Sequence, residues 1–281
     1  MDFKTTVSLL PLLLLGFCNA HDGNVRKYTK YCVCILVETP ANEDITTTIL
    51  RMNNASTDFL LEGDVIIPTT RNAMKCASNT NSCLWPKSAN GYVEIPFELS
   101  DSYDDTEKKA IAGAMRELQA KTCIRFITHT TQMAYLSLEP RSGCASLLGR
   151  TGLKQVVSLQ RYGCVQHGII QHELLHAMGF YHEHTRSDRD SFVKISWGNI
   201  DPVFTNNFQK QDTNNLNTPY DYSSVMHYGR TAFGKNGLET ITPIPDASVP
   251  IGQRNGVSKI DISRINKLYN KCYAKCYFRL S

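Results

Sequence analysis

Two histidines four residues apart, His172 and His176, are the first residues in this chain with metal chemistry written into their spacing. On a helix, positions i and i+4 leave the same face one turn apart. Two neutral imidazole nitrogens so placed can bind one Zn²⁺ at about 2.0–2.1 Å each. Gly179 follows three residues later and can end that helix in a left-handed conformation, which turns the chain back. His182 then returns as a third ligand from outside the helix. Glu173 neighbours a ligand but points about a quarter-turn away, where it reaches a water beside the metal rather than the metal itself. Three neutral imidazoles leave the ion its full double charge, which lowers the pKa of a bound water to about 7. With Glu173 as general base, the pattern describes hydrolysis by an activated water.

The elements that must position these groups follow from periodicity. A helix is predicted over about Val165 to Met178, carrying the first two histidines. Strands are predicted at Tyr92–Phe97, Cys123–Ile127, Ala134–Leu138 and Gln155–Leu159. A helix from Asp101 to Thr122 has acidic residues in its first turns and Ile111, Met115 and Leu118 on one face. The second half is rich in Asn, Asp, Pro and Gly until a last helix. Ser258 and Asp261 read as the capping pair that opens it, with Ile265, Leu268 and Tyr269 as its apolar face. The fold class is therefore α+β. An ordered first lobe and an irregular second lobe should face each other across a cleft floored by the metal helix.

The ends and composition set the compartment. Lys4 followed by the apolar run Val7–Phe17 is too short to span a bilayer and reads as a secretory signal, cut after Ala20. Residues 21–71 differ from the rest: they are acidic on balance and contain the one N-x-S/T sequon, Asn54-Ala55-Ser56. Residues 72–281 then form one compact domain. The whole chain carries +4 and ten cysteines, and the cysteines fit an oxidising, extracellular route. Seven of them follow Arg71, an odd number, so one thiol is left over. No basic helix or aromatic-interleaved basic stripe points to nucleic acid, and no further apolar run is long enough for a membrane.

His172 to Glu183 matches the extended signature HExxHxxGFxHE at every fixed position. With Ser224-Val225-Met226-His227-Tyr228 downstream, the chain resembles the astacin family of secreted zinc endopeptidases from about Phe59 to Cys272. The resemblance implies a zincin-like (metzincin) catalytic domain with a mixed twisted sheet. It makes Met226 the apolar base beneath the zinc, and Tyr228 a phenol that swings to the scissile oxyanion. Phe59-Leu60-Leu61-Glu62-Gly63-Asp64 resembles the family's inhibitory prosegment motif. By that likeness 21–71 is a propeptide, Asp64 occupies the zinc in the zymogen, and Gly63 lets the backbone come close.

Activation by a trypsin-like protease is expected at Arg71-Asn72. In many relatives the freed amine meets the Glu after the third His, here Glu183. The extension before Trp85 leaves open whether this amine is buried or Glu183 makes local hydrogen bonds instead. Cys76 and Cys83 in that extension resemble the six-cysteine astacins of fish, to which hatching enzymes belong. Family pairing would be Cys76–Cys83, Cys123–Cys272 and Cys144–Cys164, with Cys276 able to compete with Cys272, and Cys32 and Cys34 unassigned. The strand at Ala134–Leu138 resembles the edge strand that holds extended substrate. The resemblance thus implies a secreted, monomeric zinc endopeptidase that digests egg-envelope glycoproteins. The alternatives are a six-cysteine protease with a kidney, immune or brood-related role, and a non-catalytic binding protein on the same fold.

Overall fold

The computed structural model describes residues 43–54, 60–66 and 83–269. A short helix α1 (Ile45–Asn53) leads into two small strands, β1 (Leu60–Leu61) and β2 (Val65–Ile66). Strand β3 (Val93–Leu99) is followed by helix α2 (Asp105–Lys121). Strands β4 (Ile124–Thr128), β5 (Tyr135–Glu139), β6 (Cys144–Leu147) and β7 (Lys154–Leu159) come next, and then helix α3 (His167–Ala177).

The strands form one seven-stranded sheet in the order β1-β2-β6-β7-β5-β3-β4. Strands β3, β4, β5 and β7 are mutually parallel, and β6 runs antiparallel to β7. Alternation puts Val93 and Ile95 of β3, and Leu136 and Leu138 of β5, into the core. Helix α2 begins at a reciprocal capping box between Asp104 and Glu107 and buries Ile111, Ala114, Met115 and Leu118. It starts four residues later than the acidic run predicts, because Asp104 rather than Asp101 caps it.

Helix α3 is apolar nearly all round, and every residue from Gly168 to Ala177 is buried. Such a helix belongs in the interior, between other elements; it packs on α2, β6 and β7. Its C-terminal carbonyls would be orphaned there without partners. Gly149 donates to His176 O at 2.8 Å, Trp85 Nε1 to Ala177 O at 2.9 Å, and the Tyr269 hydroxyl to Met178 O at 2.9 Å. Gly179, at φ 98°, closes the turn, with Phe180 N donating to Leu175 O.

After α3 the chain becomes irregular, as its composition predicts. Short 3₁₀ turns surround a two-stranded sheet of β8 (Val193–Ile195) and β9 (Ile241–Pro243). These enclose a second apolar cluster built on Ile200, Phe208, Tyr220, Tyr228 and Ile241. The last helix, α4 (Lys259–Leu268), returns to the first lobe, where Ile265 and Tyr269 join the main core. The Ser258–Asp261 capping box is present. Among the described residues no helix is long and apolar enough to cross a membrane.

One expectation is corrected. Strand β5, which contains most of Ala134–Leu138, lies inside the sheet between β3 and β7. The strand beside the Asp64 turn is β6, whose outer side pairs in parallel with β2 and whose Ser146 N donates to Asp64 O at 3.0 Å. Its four residues include Cys144, Ala145 and Ser146, a pattern too short and small to stand out as a strand.

Candidate metal centre and active site

Helix α3 delivers His172 and His176 side by side, and the turn at Gly179 brings His182 back to them. The three rings lie 4.7–5.0 Å apart, centre to centre. Asp64, on the turn between β1 and β2, points its carboxylate into their midst. Its Oδ2 is 3.0 Å from His172 Nε2 and 3.3 Å from His182 Nε2, and Oδ1 is 3.3 Å from His176 Nε2. The four ligand atoms all fall within 4.8 Å of one another, and all four residues are buried.

The outer ring nitrogens determine what the inner ones can do. His172 Nδ1 lies 2.8 Å from Val225 O, His176 Nδ1 lies 2.7 Å from Phe180 O, and His182 Nδ1 lies 2.7 Å from Glu62 Oε2. Each of these oxygens only accepts, so each Nδ1 carries the hydrogen. The Nε2 atoms therefore present bare lone pairs to a common centre; those of His172 and His182 are 3.1 Å apart. Asp64 Oδ1 and His176 Nε2 have no hydrogen-bond partner among the described residues. Three ring nitrogens and a carboxylate converging on one buried point call for a cation there, and three nitrogens plus one oxygen suit zinc.

The electrostatics agree. Burial opposes ionisation of Asp64, but the neighbouring His182, His176 and His172 outweigh it and hold the carboxyl well below its usual range. Burial lowers His172 to about 4 against the pull of Asp64. At His182 burial is overcome by Asp64 and Glu62, which raise it to about 9. The cluster thus favours positive charge at its centre. Removing zinc from the uncleaved chain with a strong chelator should lower its thermal midpoint by on the order of 10 °C, because the ion binds only the folded state. Calorimetry with and without chelator measures this; an unchanged midpoint would place the metal elsewhere.

Glu173 sits beside the cluster, fully buried, with neither carboxylate oxygen hydrogen-bonded among the described residues. Burial and then the charge on Asp64 push its carboxyl well above the usual range. Tyr228 packs its ring at 4.6 Å from that of His182. Its hydroxyl donates to the carbonyl oxygen of Glu62. His184 stacks on Tyr228 at 3.8 Å.

Met226 is buried in the main core, and its carbonyl accepts from Glu183 N at 2.9 Å. Together with the Val225 carbonyl on His172, this ties the turn at 224–228 to two points of the histidine cluster. Asp261 holds that turn from the other side. Its carboxylate accepts from Ser224 Oγ at 2.7 Å and Val225 N at 3.0 Å as well as from its own cap at Ser258 N. Asp261→Ala leaves these buried donors unmatched and should cost about 3 kcal/mol of stability. Urea unfolding reads this; a loss below about 0.5 kcal/mol would mean the turn is held by packing alone.

Glu183 is engaged by local hydrogen bonds in the uncleaved chain. Its carboxylate accepts from both terminal nitrogens of Arg264 on α4, from Arg186 at 3.3 Å and from Asp221 N at 2.8 Å. The amine that cleavage would free, at Asn72, lies outside the described residues.

Gly63, at φ 81°, allows the turn that presents Asp64. A Cβ there would come within 2.5 Å of Leu50 and 2.9 Å of Phe233. Glu62 had no assigned role in the sequence, yet it is fully buried and spans the cleft. It accepts from His182 and from Gln211 Nε2 at 3.0 Å, while its backbone nitrogen donates to Asn207. Asn53 was also missed. Its amide pairs with both backbone groups of Cys144, at 2.7 Å each, as a strand residue would. Its donor to Gly63 O is 2.8 Å long. The only signal for these roles was proximity to Gly63-Asp64 for Glu62, and for Asn53 there was none.

Cys144 and Cys164 form a disulfide. Cys83 and Cys123 are each disulfide-bonded, while their expected partners Cys76 and Cys272 lie outside the described residues. So do the signal segment, Cys32, Cys34, Arg71, Asn72 and Cys276.

Comparison with known proteins places this geometry. The family profile described as Astacin, a peptidase family, matches residues 78–270. The low choriolytic enzyme of Oryzias latipes is 56% identical over 269 residues, covering 96% of this chain and 99% of that one. High choriolytic enzyme 1 of the same fish is 58% identical over 228 residues, covering 81% and 84%. The solved structure of that enzyme, described as a hatching enzyme zinc-protease, superposes with a TM-score of 0.67 at 57% identity. It covers 71% of this chain and 100% of its own. A buried three-histidine centre at the end of α3, on a sheet of this order, thus comes with relatives that share more than half their residues with this chain. The chain belongs to the astacin family and is a zinc metalloendopeptidase.

Proposed function

We propose that the chain is made as a secreted zymogen and, once cleaved, acts as a hatching-type endopeptidase on egg-envelope protein. Residues 1–20 would be the signal, 21–71 the propeptide and 72–281 the enzyme. One observation carries the zymogen reading. A single buried turn sets Asp64 among the three histidines and gives the Glu62 carbonyl to the Tyr228 hydroxyl. Both groups that a peptide bond would need are held by the chain's own 62–64.

His172, His176 and His182 are the residues that would hold zinc in the mature enzyme. Bound there, zinc supplies a Lewis acid that acidifies water and polarises a peptide carbonyl. Glu173 takes the proton from the attacking water and passes it to the departing amine. Its lack of a hydrogen-bond partner among the described residues leaves both oxygens free for that transfer. Tyr228, released from Glu62, donates to the oxygen as negative charge builds, which favours the transition state over bound substrate. Met226 supports the centre from below through the turn anchored on Asp261. Strand β6, once β2 leaves, offers its backbone groups to an extended substrate.

The egg-envelope target is supported by the 56–58% identity to the choriolytic enzymes. The test is to activate the secreted chain with trypsin and assay isolated egg envelope beside casein. Envelope solubilisation at a rate comparable to casein cleavage is the expected result. Casein cleavage with intact envelope would remove the hatching role and leave the protease. N-terminal sequencing of the same sample should begin at Asn72.

A further inference from the structure

The second-lobe rim of the cleft carries an aromatic surface that the reaction above does not use. Phe204 lies in the 3₁₀ segment Pro202–Phe208, and its ring packs against Phe233 at 4.7 Å with a 35° tilt. Phe233 is backed by Tyr228 and Phe208, with ring centres about 6 Å away (6.0 and 6.1 Å). Val203 beside it is 77% exposed and Phe204 is 41% exposed. A cavity of about 340 Å³ separates this surface from the prosegment, whose Leu50, Leu60 and Leu61 form its opposite wall. No charged side chain lines it among the described residues; the polar lining groups are asparagines. The surface reaches the centre of the cleft. The backbone of Gly63, one residue from Asp64, passes so close to Phe233 that a Cβ would lie 2.9 Å from its ring.

We propose that Val203, Phe204 and Phe233 form a specificity subsite that receives an aliphatic or aromatic side chain of the protein substrate beside the cleaved bond. The proposal rests on reading residues 21–71 as a removable propeptide. In the uncleaved chain three leucines share one cavity with this rim, and their departure would open it as a contiguous apolar surface of a kind that marks an interaction site. A substrate strand paired with β6 would point its side chains alternately to the two faces of the sheet, and those on the second-lobe side would meet this rim. The occupant is therefore apolar. A carboxylate or ammonium placed there would lose hydration without gaining a partner.

The experiment uses the trypsin-activated chain and a set of peptides that differ only at the residues flanking the cleaved bond, with Leu, Phe, Asp or Ser at each. At one flanking position Leu and Phe should exceed Ser in kcat/KM by about tenfold or more, the scale set by burying one such side chain. The Val203→Ser/Phe204→Ser double variant should reduce that ratio about tenfold, while Phe204→Leu retains it. Val203→Ser alone, at a mostly exposed position, should lower it in a protein that folds normally. The proposal is overturned if the wild type shows no apolar preference at either flanking position. It is equally overturned if the ratio survives the double variant in protein with wild-type zinc content and thermal midpoint. If the rim serves only to seat the prosegment, the double variant weakens latency and leaves the peptide ratio intact, which also overturns it. Failure of the activated wild type to cut any peptide would instead remove the endopeptidase reading.

Discussion

Glu173→Gln should lower kcat by about 100-fold or more, with zinc content and thermal midpoint unchanged. The amide keeps the shape of the side chain but cannot accept a proton at neutral pH, and general acid–base catalysis is worth about 10²–10⁴ in rate. Glu173 stands on the most deeply buried helix, and its carboxylate makes no hydrogen bond among the described residues. Its replacement therefore disturbs no structural contact of that kind, and a fall in activity reports on chemistry. Zinc analysis of the purified variant, alongside peptide turnover, separates the two. Retention of more than about a tenth of wild-type kcat would assign the proton transfer to another group.

The second large effect concerns latency. In a chain made uncleavable by Arg71→Gln, Asp64→Ala should raise residual peptidase activity by about two to three orders of magnitude. Removing one partner from a buried charged cluster costs about 3–5 kcal/mol, and each 1.4 kcal/mol is tenfold in an equilibrium. That energy is lost only from the closed arrangement, so the open one gains population. Glu62→Gln should have a smaller effect in the same direction, because the turn keeps its carbonyl contact to Tyr228 and the Asp64 carboxylate. If Asp64→Ala leaves the uncleaved chain as silent as the parent, α1 and the β2–β6 pairing would be sufficient to block the cleft.

How far the sequence could be read depended on the range of the contacts involved. The helix of His172 and His176, the turn at Gly179 and the capping box at Ser258 are set by neighbours within a few residues, and all stand where the sequence predicts. The identity of the sheet edge is not a local property. Both β5 and β6 are short and half apolar, and only the order of strands in space decides which one lines the cleft. Glu62 and Asn53 eluded the sequence for the same reason. Their partners, His182 and Cys144, lie 120 and 91 residues away, and nothing in a Glu or an Asn announces them. Asp261 was seen as a helix cap; that the same carboxylate anchors the turn at Ser224 follows only from packing.

The pairing of β2 with β6 has a consequence for handling and storage of the protein. In the uncleaved chain one end of the sheet is the two-residue strand β1, too short to recruit another chain, and the other is β4. On the propeptide reading, cleavage and departure of β1 and β2 would leave β6 as a second bare edge with a row of unpaired amide and carbonyl groups. An uncovered edge is the usual nucleus for strand-by-strand association between molecules. The activated form should therefore be the less soluble one at high concentration, and the precursor the form in which a cell can pack this protein densely without clumping.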